Sequence, residues 1–430
     1  MPLLHKHMTI YKKLLSFPVV LLLAAGAAAA ADLPLELSWQ DCARAALNNN
    51  PGLKAKKLAI EQSRYSYLAS YNGALPSVSL SHSIGRSGSD SSSPSNSVSA
   101  GVTASETLFD LKVLSSIRSS KITYDQAYAG YRTESASLRQ ALYSSFVGLV
   151  YAQENVAVQN KVLVTRQHNS DLIKLKYDSG RESRGNMLYT AALAEQSKAN
   201  VRQAERSLNS ARQDLLNNMG FSEFRPIVAK AALAAPEYSL AAGDIKKLIE
   251  NIPQVVLQVK SVESLKERLL SAKFDLYPTL SASQSMRWSG SSEFPGNRGW
   301  SLGLSLGLPL FNYSNITSYN TKAANWALKS GEESLRDLKN TLEGNILTGY
   351  NSFLNAKDKA LANVNILGAN EERYKESQIQ YQAGQMNFID LETIEEGMVT
   401  AQLNQLAFLR DANTSKISLE NYLGVGLEGE

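Results

Sequence analysis

The chain contains an internal repeat, and this feature constrains its fold more than any other. Pro51 and Pro76 recur 202 residues later as Pro253 and Pro278. Three longer motifs recur at offsets of 202 to 204 residues: Leu108-Phe109-Asp110 as Leu310-Phe311-Asn312, Tyr177-Asp-Ser-Gly180 as Tyr381-Gln-Ala-Gly384, and Asn217-Asn-Met-Gly220 as Asn421-Tyr-Leu-Gly424. Landmarks that keep their spacing over most of a chain indicate a tandem duplication.

Each repeat is predicted to run helix, strand, strand, long helix, helix. In the first long helix, Leu142, Leu149, Val156 and Leu163 recur every seven residues. This spacing is typical of an apolar seam that packs against partner helices along its length. No proline occurs from 112 to 225, so nothing interrupts the helix.

These patterns predict the following boundaries. The first repeat, 32–220, has a β-hairpin at 77–109, a long helix at 114–177 and a helix at 186–219. The second repeat, 243–424, has a β-hairpin at 279–310, a long helix at 314–381 and a helix at 388–423. A linker at 221–242 joins them, and 425–430 is a C-terminal tail.

The strands of both hairpins have the length that crosses a bilayer. In the second hairpin, Trp300 and the leucines from Leu302 to Leu310 alternate with serine and glycine. Tilted strands of about ten residues with this period span a membrane. Trp288 and Trp300 flank the Ser/Gly-rich tip, where membrane barrels carry interfacial aromatic residues, so outer-membrane lipid is an expected partner. A soluble sheet with one buried face is the alternative.

Residues 1–31 have the composition of a signal peptide. Lys6, Lys12 and Lys13 precede an apolar core and several alanine-rich cleavage sites. Removal of these three lysines lowers the formal net charge from +4 to +1, so no basic patch indicates nucleic acid. Beyond the signal no apolar run is long enough for a spanning helix, so a membrane-inserted part must be a β-barrel.

The sequence carries no signature of an enzyme or of a cofactor site. Cys42 is the only cysteine, which excludes an intrachain disulfide, and we interpret it as a small packing residue. His82 and His168 lie too far apart to predict a metal site. We find no nucleophile elbow, phosphate-binding loop or metal-ligand cluster. The expectation is a non-enzyme without cofactors.

Four strands per chain cannot close a barrel, because small barrels need about eight. An open sheet in lipid would leave its edges unpaired, so the chain must form oligomers. Small inward residues favour a wide lumen, and we therefore expect three copies and about twelve strands. The predicted fold class is mainly α with a transmembrane β-barrel part, on a long antiparallel coiled-coil tunnel.

The duplicated plan resembles the TolC family of outer-membrane efflux and secretion ducts. The resemblance rests on Asn50-Pro51, the strand openings at Pro76 and Pro278, Leu308-Pro-Leu-Phe-Asn312 and the two Tyr-x-x-Gly turns. Each motif alone is weak, but at matched spacing they cover about 38–426. The resemblance implies a homotrimer in the Gram-negative outer membrane with a helical tunnel through the periplasm.

The resemblance also implies partners that supply energy and contacts. These are a periplasmic adaptor, or membrane fusion, protein and an inner-membrane pump of the RND, ABC or MFS type. The duct itself is expected to be passive and to export small molecules or proteins. The rival function is a periplasmic coiled-coil scaffold or tether without a pore, which would have no need of bilayer-length strands.

In the family, the helix ends near the turns close the periplasmic entrance. The family pattern Tyr-x-x-Gly-x-Arg-x-x-x-Asp-x-x-Asp is matched here at Tyr381, Gly384 and Asp390. Met386 replaces the arginine and Thr393 replaces the second aspartate. By resemblance, Asp390 would form a ring of three carboxylates at the constriction. The missing arginine speaks against the family's tyrosine–arginine latch in this chain.

Three glutamates, Glu392, Glu395 and Glu396, follow Asp390. They either add charge to the gate or stay solvated at a helix start, where acidic residues favour the helix dipole. The predicted gate residues are Tyr381, Asp390 and Glu392.

The two turns are the predicted adaptor contacts, because their glycines let the chain reverse and the first turn is charged. Ordinary turn chemistry is the alternative interpretation. The candidate docking residues are Gly180, Arg181, Arg184, Gly384 and Gln385.

Overall fold

The structure, a computed structural model, describes residues 35–90, 92–240, 245–292, 296–309 and 318–429. The predicted signal peptide at 1–31, the repeated motif at 310–312 and the first residues predicted for the second long helix lie outside this range.

The chain is mainly helical, as predicted. The first repeat contains α1 (Trp39–Asn49), α2 (Pro51–Ser70), α3 (Leu111–Asp178) and α4 (Arg184–Met219). The second contains α5 (Ile245–Asn251), α6 (Pro253–Phe274), α7 (Tyr319–Gln382) and α8 (Phe388–Tyr422). The 68 residues of α3 and the 64 of α7 each extend about 100 Å at a rise of about 1.5 Å per residue.

Two shorter helices lie along each long one. Both α2 and α4 pack against α3, and both α6 and α8 pack against α7. The repeats are joined because α3 also contacts α6 and α8. The helix α3 starts at Leu111, directly after the strand, because Asp110 caps it by accepting a hydrogen bond of 2.8 Å from the N–H of Lys112.

Four glycines with left-handed backbone mark equivalent points of the two repeats. Gly180 and Gly384 have φ of 73° and 75°, and Gly220 and Gly424 have φ of 90° and 73°. Residues with a Cβ adopt this conformation only at a cost. A Cβ on Gly220 would lie 2.6 Å from the carbonyl oxygen of Asn49, next to the start of α2.

The same close approach occurs in the second repeat, where a Cβ on Gly424 would overlap the ring of Pro253. A helix end therefore packs directly onto a proline-initiated helix start in both halves. This packing explains why the glycine motifs and the Asn-Pro and Ile-Pro starts recur together in the sequence.

The described residues form six strands, which are β1 (Leu35–Leu37), β2 (Ser77–Ser89), β3 (Ser92–Phe109), β4 (Ile227–Ala229), β5 (Thr279–Gly290) and β6 (Asn297–Gly307). The hairpins β2/β3 and β5/β6 form one antiparallel sheet in the order β2-β3-β5-β6. Since β3 pairs with β5, the two repeats share a single sheet whose edges are β2 and β6.

The short parallel pair of β1 and β4 was not predicted, and it gives part of the linker at 221–242 a regular structure. Three residues are too few to show the alternation of apolar and polar residues from which strands are predicted. Ile227 and Ala229 of β4 lie in a core with Leu142 and with Cys42, which is buried as a packing residue of α1. Leu427, from the predicted tail, is fully buried in the same core.

No helix in the described part of the chain is both long enough and apolar enough to cross a membrane.

Candidate functional site

One face of the four-stranded sheet is apolar across all four strands. Residues paired across antiparallel strands point to the same side, so the register places Leu80, Val102, Met286 and Trp300 in one row. Leu80 is 81% exposed and Leu304 is 74% exposed. An exposed apolar surface of this extent marks a membrane or partner contact. The apolar residues on this face are Val78, Leu80, Ile84, Val98, Ala100, Val102, Ala104, Leu280, Ala282, Met286, Trp288, Trp300, Leu302, Leu304 and Leu306, of which Val98 is buried. The same register also places the polar residues His82, Glu106, Gln284 and Arg298 on it.

The opposite face is lined by serine, threonine and glycine. Hydroxyl groups on neighbouring strands bond to each other across this face, for example Ser83 to Ser99 at 2.8 Å and Ser285 to Ser301 at 2.9 Å. Arg287 donates to the Ser99 hydroxyl at 3.2 Å. One surface of the sheet thus suits lipid and the other suits water.

Trp288 and Trp300 lie on the apolar face near the hairpin tip, where Trp288 pairs with Arg298 and Trp300 with Met286. From Leu280 to Trp288 the face extends about 26 Å at about 3.3 Å per residue. Membrane barrels have an apolar band about 25 Å tall bordered by aromatic residues. The positions therefore suit an interfacial role, which stays a prediction.

The other candidate region is the end of the molecule with the two helix turns, which we call the entrance end. The turns have the same backbone. The N–H of Arg181 bonds to the carbonyl of Lys176 at 2.8 Å, and the N–H of Gln385 bonds to the carbonyl of Gln380 at 2.9 Å. Ser183 then caps α4, and its counterpart Asn387 caps α8.

The two turns are joined by what we call the turn contact: Lys176, Glu182 and Tyr381. The buried Tyr381 donates its hydroxyl hydrogen to Glu182 Oε2 at 2.8 Å. The Lys176 ammonium lies 3.6 Å from the centre of the Tyr381 ring and donates to the Tyr381 carbonyl at 2.8 Å. Tyr381 thus contacts a glutamate and a lysine of the first turn.

Burial and the bond to Glu182 raise the pKa of Tyr381 far above its ordinary value, so the phenol stays a donor. Burial alone would raise the pKa of Glu182, but the N–H of Ser183, the Asn186 amide and Tyr381 hold it below the ordinary value. Burial lowers the pKa of Lys176. Tyr381 therefore stays protonated and Glu182 stays ionised at neutral pH, as their hydrogen bond requires.

Further from the turns, α3 and α8 enclose four polar side chains, Arg166, Asn169, Tyr374 and Glu395. Together with the exposed Glu396, which pairs with Arg166, they form what we call the buried charge cluster. Arg166 bonds to Glu396 at 2.5 Å, and its Nε lies 2.9 Å from Glu395 Oε1. Asn169 donates to the other oxygen of Glu395 and, at 3.1 Å, to the Tyr374 hydroxyl. The cluster ties α3 of the first repeat to α7 and α8 of the second.

Glu395 is buried, which contradicts one of its two interpretations, that of a solvated acid at a helix start. Burial raises the pKa of Glu395, while the nearby Arg166 guanidinium acts in the opposite direction. The Arg166 Nε–H is not aligned with Oε1, and this oxygen accepts no hydrogen bond from the described residues. Burial also raises the pKa of Tyr374 to about 12.

The predicted gate residues are separated in the structure. Tyr381 belongs to the turn contact, and Asp390 is exposed in the first turn of α8, where its carboxylate accepts from the Asn387 amide at 2.8 Å. Glu392 accepts from the Tyr189 hydroxyl at 3.2 Å. The predicted ring needs the same carboxylate from three copies, and the structure contains one chain. The role of Asp390 and Glu392 at a constriction therefore stays a prediction.

The predicted docking residues Gly180, Arg181, Arg184, Gly384 and Gln385 are all exposed on the two turns. Their use by a partner is untested. The described residues contain no group of histidine, cysteine, aspartate and glutamate that could hold a metal ion.

The buried charge cluster was not predicted, although the sequence of α3 contains a pattern that indicates it. Val162, Arg166, Asn169 and Ile173 are spaced by four, three and four residues, which places them on one helical face. Val162 and Ile173 belong to the apolar core at the entrance end. Two polar residues between them on that face predict a buried polar contact.

A family model described as outer membrane efflux protein matches residues 43–220 and 245–425. Comparison with curated protein sequences finds no match.

Several solved structures have a similar fold. One is CusC, whose crystal structures concern the conformational changes that accompany folding and transmembrane channel formation. It has a TM-score of 0.81 at 15% identity, over 90% of this chain and 91% of CusC. The CmeC outer membrane channel of Campylobacter jejuni has a TM-score of 0.80 at 16% identity, over 89% and 84% of the two chains. The MtrE outer membrane channel of Neisseria gonorrhoeae, solved in an open state, has a TM-score of 0.79 at 19% identity, over 90% and 89%.

Proposed function

This chain belongs to the outer membrane efflux protein family, and from that premise we propose that three copies form a passive duct across the outer membrane and periplasm. The family and the structural relatives are channels rather than enzymes. The chain is accordingly an outer-membrane protein that exports its cargo. The number of copies, the gate and the partners are our proposals.

The observation that carries this proposal is the two-faced sheet with open edges. Its apolar face is exposed, its serine face is polar, and its edge strands β2 and β6 have no partner on their outer sides within the described residues. Unpaired backbone groups are costly in lipid. Because β2 and β6 run antiparallel in the alternating order of the sheet, β6 of one copy can pair with β2 of the next. Three copies then give about twelve strands and a lumen lined with hydroxyl groups.

At the entrance end, we assign Asp390, Tyr381 and Glu392 to the periplasmic gate. Three copies of the exposed Asp390 would place like charges around a narrow opening, which favours cations. The exposed turn residues Arg181, Arg184 and Gln385, beside Gly180 and Gly384, are assigned to the contact with a periplasmic adaptor. The energy for export of small molecules or proteins comes from an inner-membrane pump.

The first test is the mass of the detergent-extracted protein, followed by single-channel recording in a planar bilayer. We expect a trimer with a small conductance. Asp390→Ala should raise that conductance about two-fold or more, whereas Asp171→Ala, an exposed acid on α3, should leave it unchanged. A water-soluble monomer without conductance would refute the duct, and an Asp390→Ala channel identical to the parent would refute only the gate.

A further inference from the structure

The apolar face of the sheet carries two exposed arginines at the end with the hairpin tips. Arg86 pairs with Asn96 across β2 and β3, and Arg298 pairs with Trp288 across β5 and β6. Each arginine lies an even number of residues from the apolar side chains of its own strand, so it projects from the same face as they do. Both are exposed, and neither forms an ion pair with a described residue.

The two arginines occupy equivalent positions in the two hairpins. Residue pairs of β2/β3 have their counterparts 202 residues later in β5/β6, so the pair of Arg86 and Asn96 corresponds to the pair of Trp288 and Arg298. Each hairpin therefore presents one arginine at the margin of the apolar face. A ring of three copies would present six.

The other margin of the face, next to the helices, has the opposite charge. Glu106 pairs with Ala282 there, and it is the one acid that the register places on this face among the described residues. His82, on the same face, lies four residues before Arg86, or about 13 Å closer to the helices at about 3.3 Å per residue. A face with arginines at one margin and a glutamate at the other suits a bilayer whose two leaflets carry different headgroups.

The hairpin tips face the cell exterior if the helices occupy the periplasm, as proposed above. The outer leaflet of a Gram-negative outer membrane consists of lipopolysaccharide, whose membrane anchor, lipid A, has a phosphorylated disaccharide as its headgroup. An arginine side chain can extend from a lipid-facing position to the headgroup level. Its guanidinium binds phosphate through two parallel hydrogen bonds. Lipid A therefore has the chemistry that this margin would recognise.

Arginines of different copies approach each other where two copies meet. Within a copy, Ala100 of β3 pairs with Trp288 of β5. The equivalent pair between copies, 202 residues away on each strand, is Leu302 of β6 with Arg86 of the next copy. Arg298 lies four residues from Leu302 on β6, about 13 Å along the strand. We call this junction of β6 with the β2 strand of the next copy the copy junction.

We propose that Arg298 and Trp300 of one copy and Arg86 of the next form a binding site for the phosphorylated headgroup of lipid A at each copy junction. The inference rests on the proposed trimer, because one copy supplies only part of the site. Trp300 lies between the two arginines and is 74% exposed, as expected of an aromatic residue at a membrane interface. Asp90, in the turn after β2, is the described acid nearest to Arg86 in sequence, so two positive charges face one negative charge.

A lipid that contacts two copies also stabilises their assembly. The complete site exists only in the ring, so lipid A binds the trimer and not the separated copies. A ligand that binds only the assembled state shifts the equilibrium toward it by mass action. The trimer should therefore dissociate less readily when lipid A is present.

The first experiment counts bound lipid on the intact trimer. Detergent-purified protein freed of lipid is titrated with diphosphoryl lipid A and measured by native mass spectrometry, and we expect three bound lipids per trimer. The double variant Arg86→Gln/Arg298→Gln should bind at least about ten-fold more weakly, because it loses charged hydrogen bonds to phosphate. Arg287→Gln is the matched control and should bind as the parent does, since Arg287 lies beside Trp288 but projects from the serine face, where it donates to Ser99.

Several outcomes would overturn the inference and leave the duct standing. One is a double variant that binds lipid A as tightly as the parent. Another is a parent trimer that binds dephosphorylated lipid A or phosphatidylglycerol as tightly as diphosphoryl lipid A. Six bound lipids per trimer would assign the arginines to separate sites, and displacement of lipid A by an equal concentration of inorganic phosphate would identify a site for free phosphate. A protein that is monomeric in detergent removes the proposed function and the inference with it.

The second experiment measures assembly. Diphosphoryl lipid A should raise the temperature at which half of the trimer dissociates by about 2 °C or more in the parent and in Arg287→Gln. The same addition should leave the double variant Arg86→Gln/Arg298→Gln unchanged. Single-channel conductance of the double variant should equal that of the parent, which verifies that it is folded and assembled. An equal rise in temperature for all three proteins overturns the site at the copy junction.

Discussion

The two ends of the molecule place their polar and apolar residues in opposite ways. At the sheet end, leucines such as Leu80 and Leu304 are exposed, and serines lie on the other face. At the entrance end, charged residues such as Arg166 and Glu395 are buried between helices. A sheet in lipid is stabilised by apolar contact with its solvent, whereas a helix interface in water can enclose charges only in pairs.

The ends also differ in how far apart in sequence their contacts are. The faces of the sheet follow from alternation within each strand. The bond of Tyr381 to Glu182 joins residues 199 apart, and that of Asn169 to Glu395 joins residues 226 apart. Substitutions at each end test this contrast.

Arg166→Met should destabilise the entrance end by about 3–5 kcal/mol, because it leaves Glu395 buried without its cationic partner. The measurement is the unfolding free energy in detergent. Arg336→Met, which breaks an ion pair whose arginine side chain is 74% exposed, should cost less than about 1 kcal/mol. Adding Glu395→Gln to Arg166→Met should recover a large part of the loss. Equal losses of unfolding free energy in Arg166→Met and Arg336→Met would show that the buried arginine stabilises the protein no more than an exposed one.

At the sheet end, Leu304→Arg should cost about 2–4 kcal/mol per copy, because a charge on the lipid face near the bilayer centre is poorly solvated. Ser305→Arg places the same side chain one residue later on the serine face and should leave assembly intact. The measurement is the fraction of protein recovered as oligomer from outer membranes. If Ser305→Arg proved the more harmful change, the assignment of the two faces would be inverted.

Tyr381→Phe removes a buried hydroxyl from the turn contact and should cost about 1–2 kcal/mol, as expected for a hydrogen bond to a charged acceptor. Its counterpart Tyr177→Phe should be close to neutral in the isolated chain, where no equivalent glutamate faces it. Hydrogen exchange of the two turns, followed by mass spectrometry, compares the pair directly. Faster exchange in Tyr177→Phe than in Tyr381→Phe would contradict the asymmetry between the turns.

The smallest expected effect concerns pH. The folded pKa of Glu182 lies below its ordinary value of 4.5. Its contribution to stability is therefore complete above that ordinary value and is lost as pH falls through the folded pKa. Hydrogen exchange in the first turn should rise in acid in the parent, and Glu182→Gln should remove that dependence. An acid response that survives in Glu182→Gln would assign it to another carboxylate.

The regular parts of this fold could be predicted from the sequence because each is specified locally. The hairpins follow from a two-residue period, and the turns follow from glycines that the duplication repeats. The short strand Ile227–Ala229 was missed, since three residues carry no period.

The candidate site was predicted only in part. Tyr381 was singled out, but its partners Lys176 and Glu182 lie on the other repeat and share no motif with it. Glu395 was interpreted either as additional gate charge or as a solvated acid near a helix start, and neither interpretation predicted its burial. Glu395 is buried because α3 packs over it, and the sequence of α8 alone does not predict that contact.

The position of Leu427 has a consequence for the order of folding. This residue fills the core that also holds Cys42, and Ser135 of α3 bonds to the Leu427 N–H at 3.0 Å. Contacts between residues so far apart in sequence form late, because the intervening chain must first be ordered. A chain that emerges from a translocation pore from its N-terminus cannot complete this core until Leu427 has passed through. The core around Cys42 therefore stays incomplete until α8 and the residues up to Leu427 have been exported.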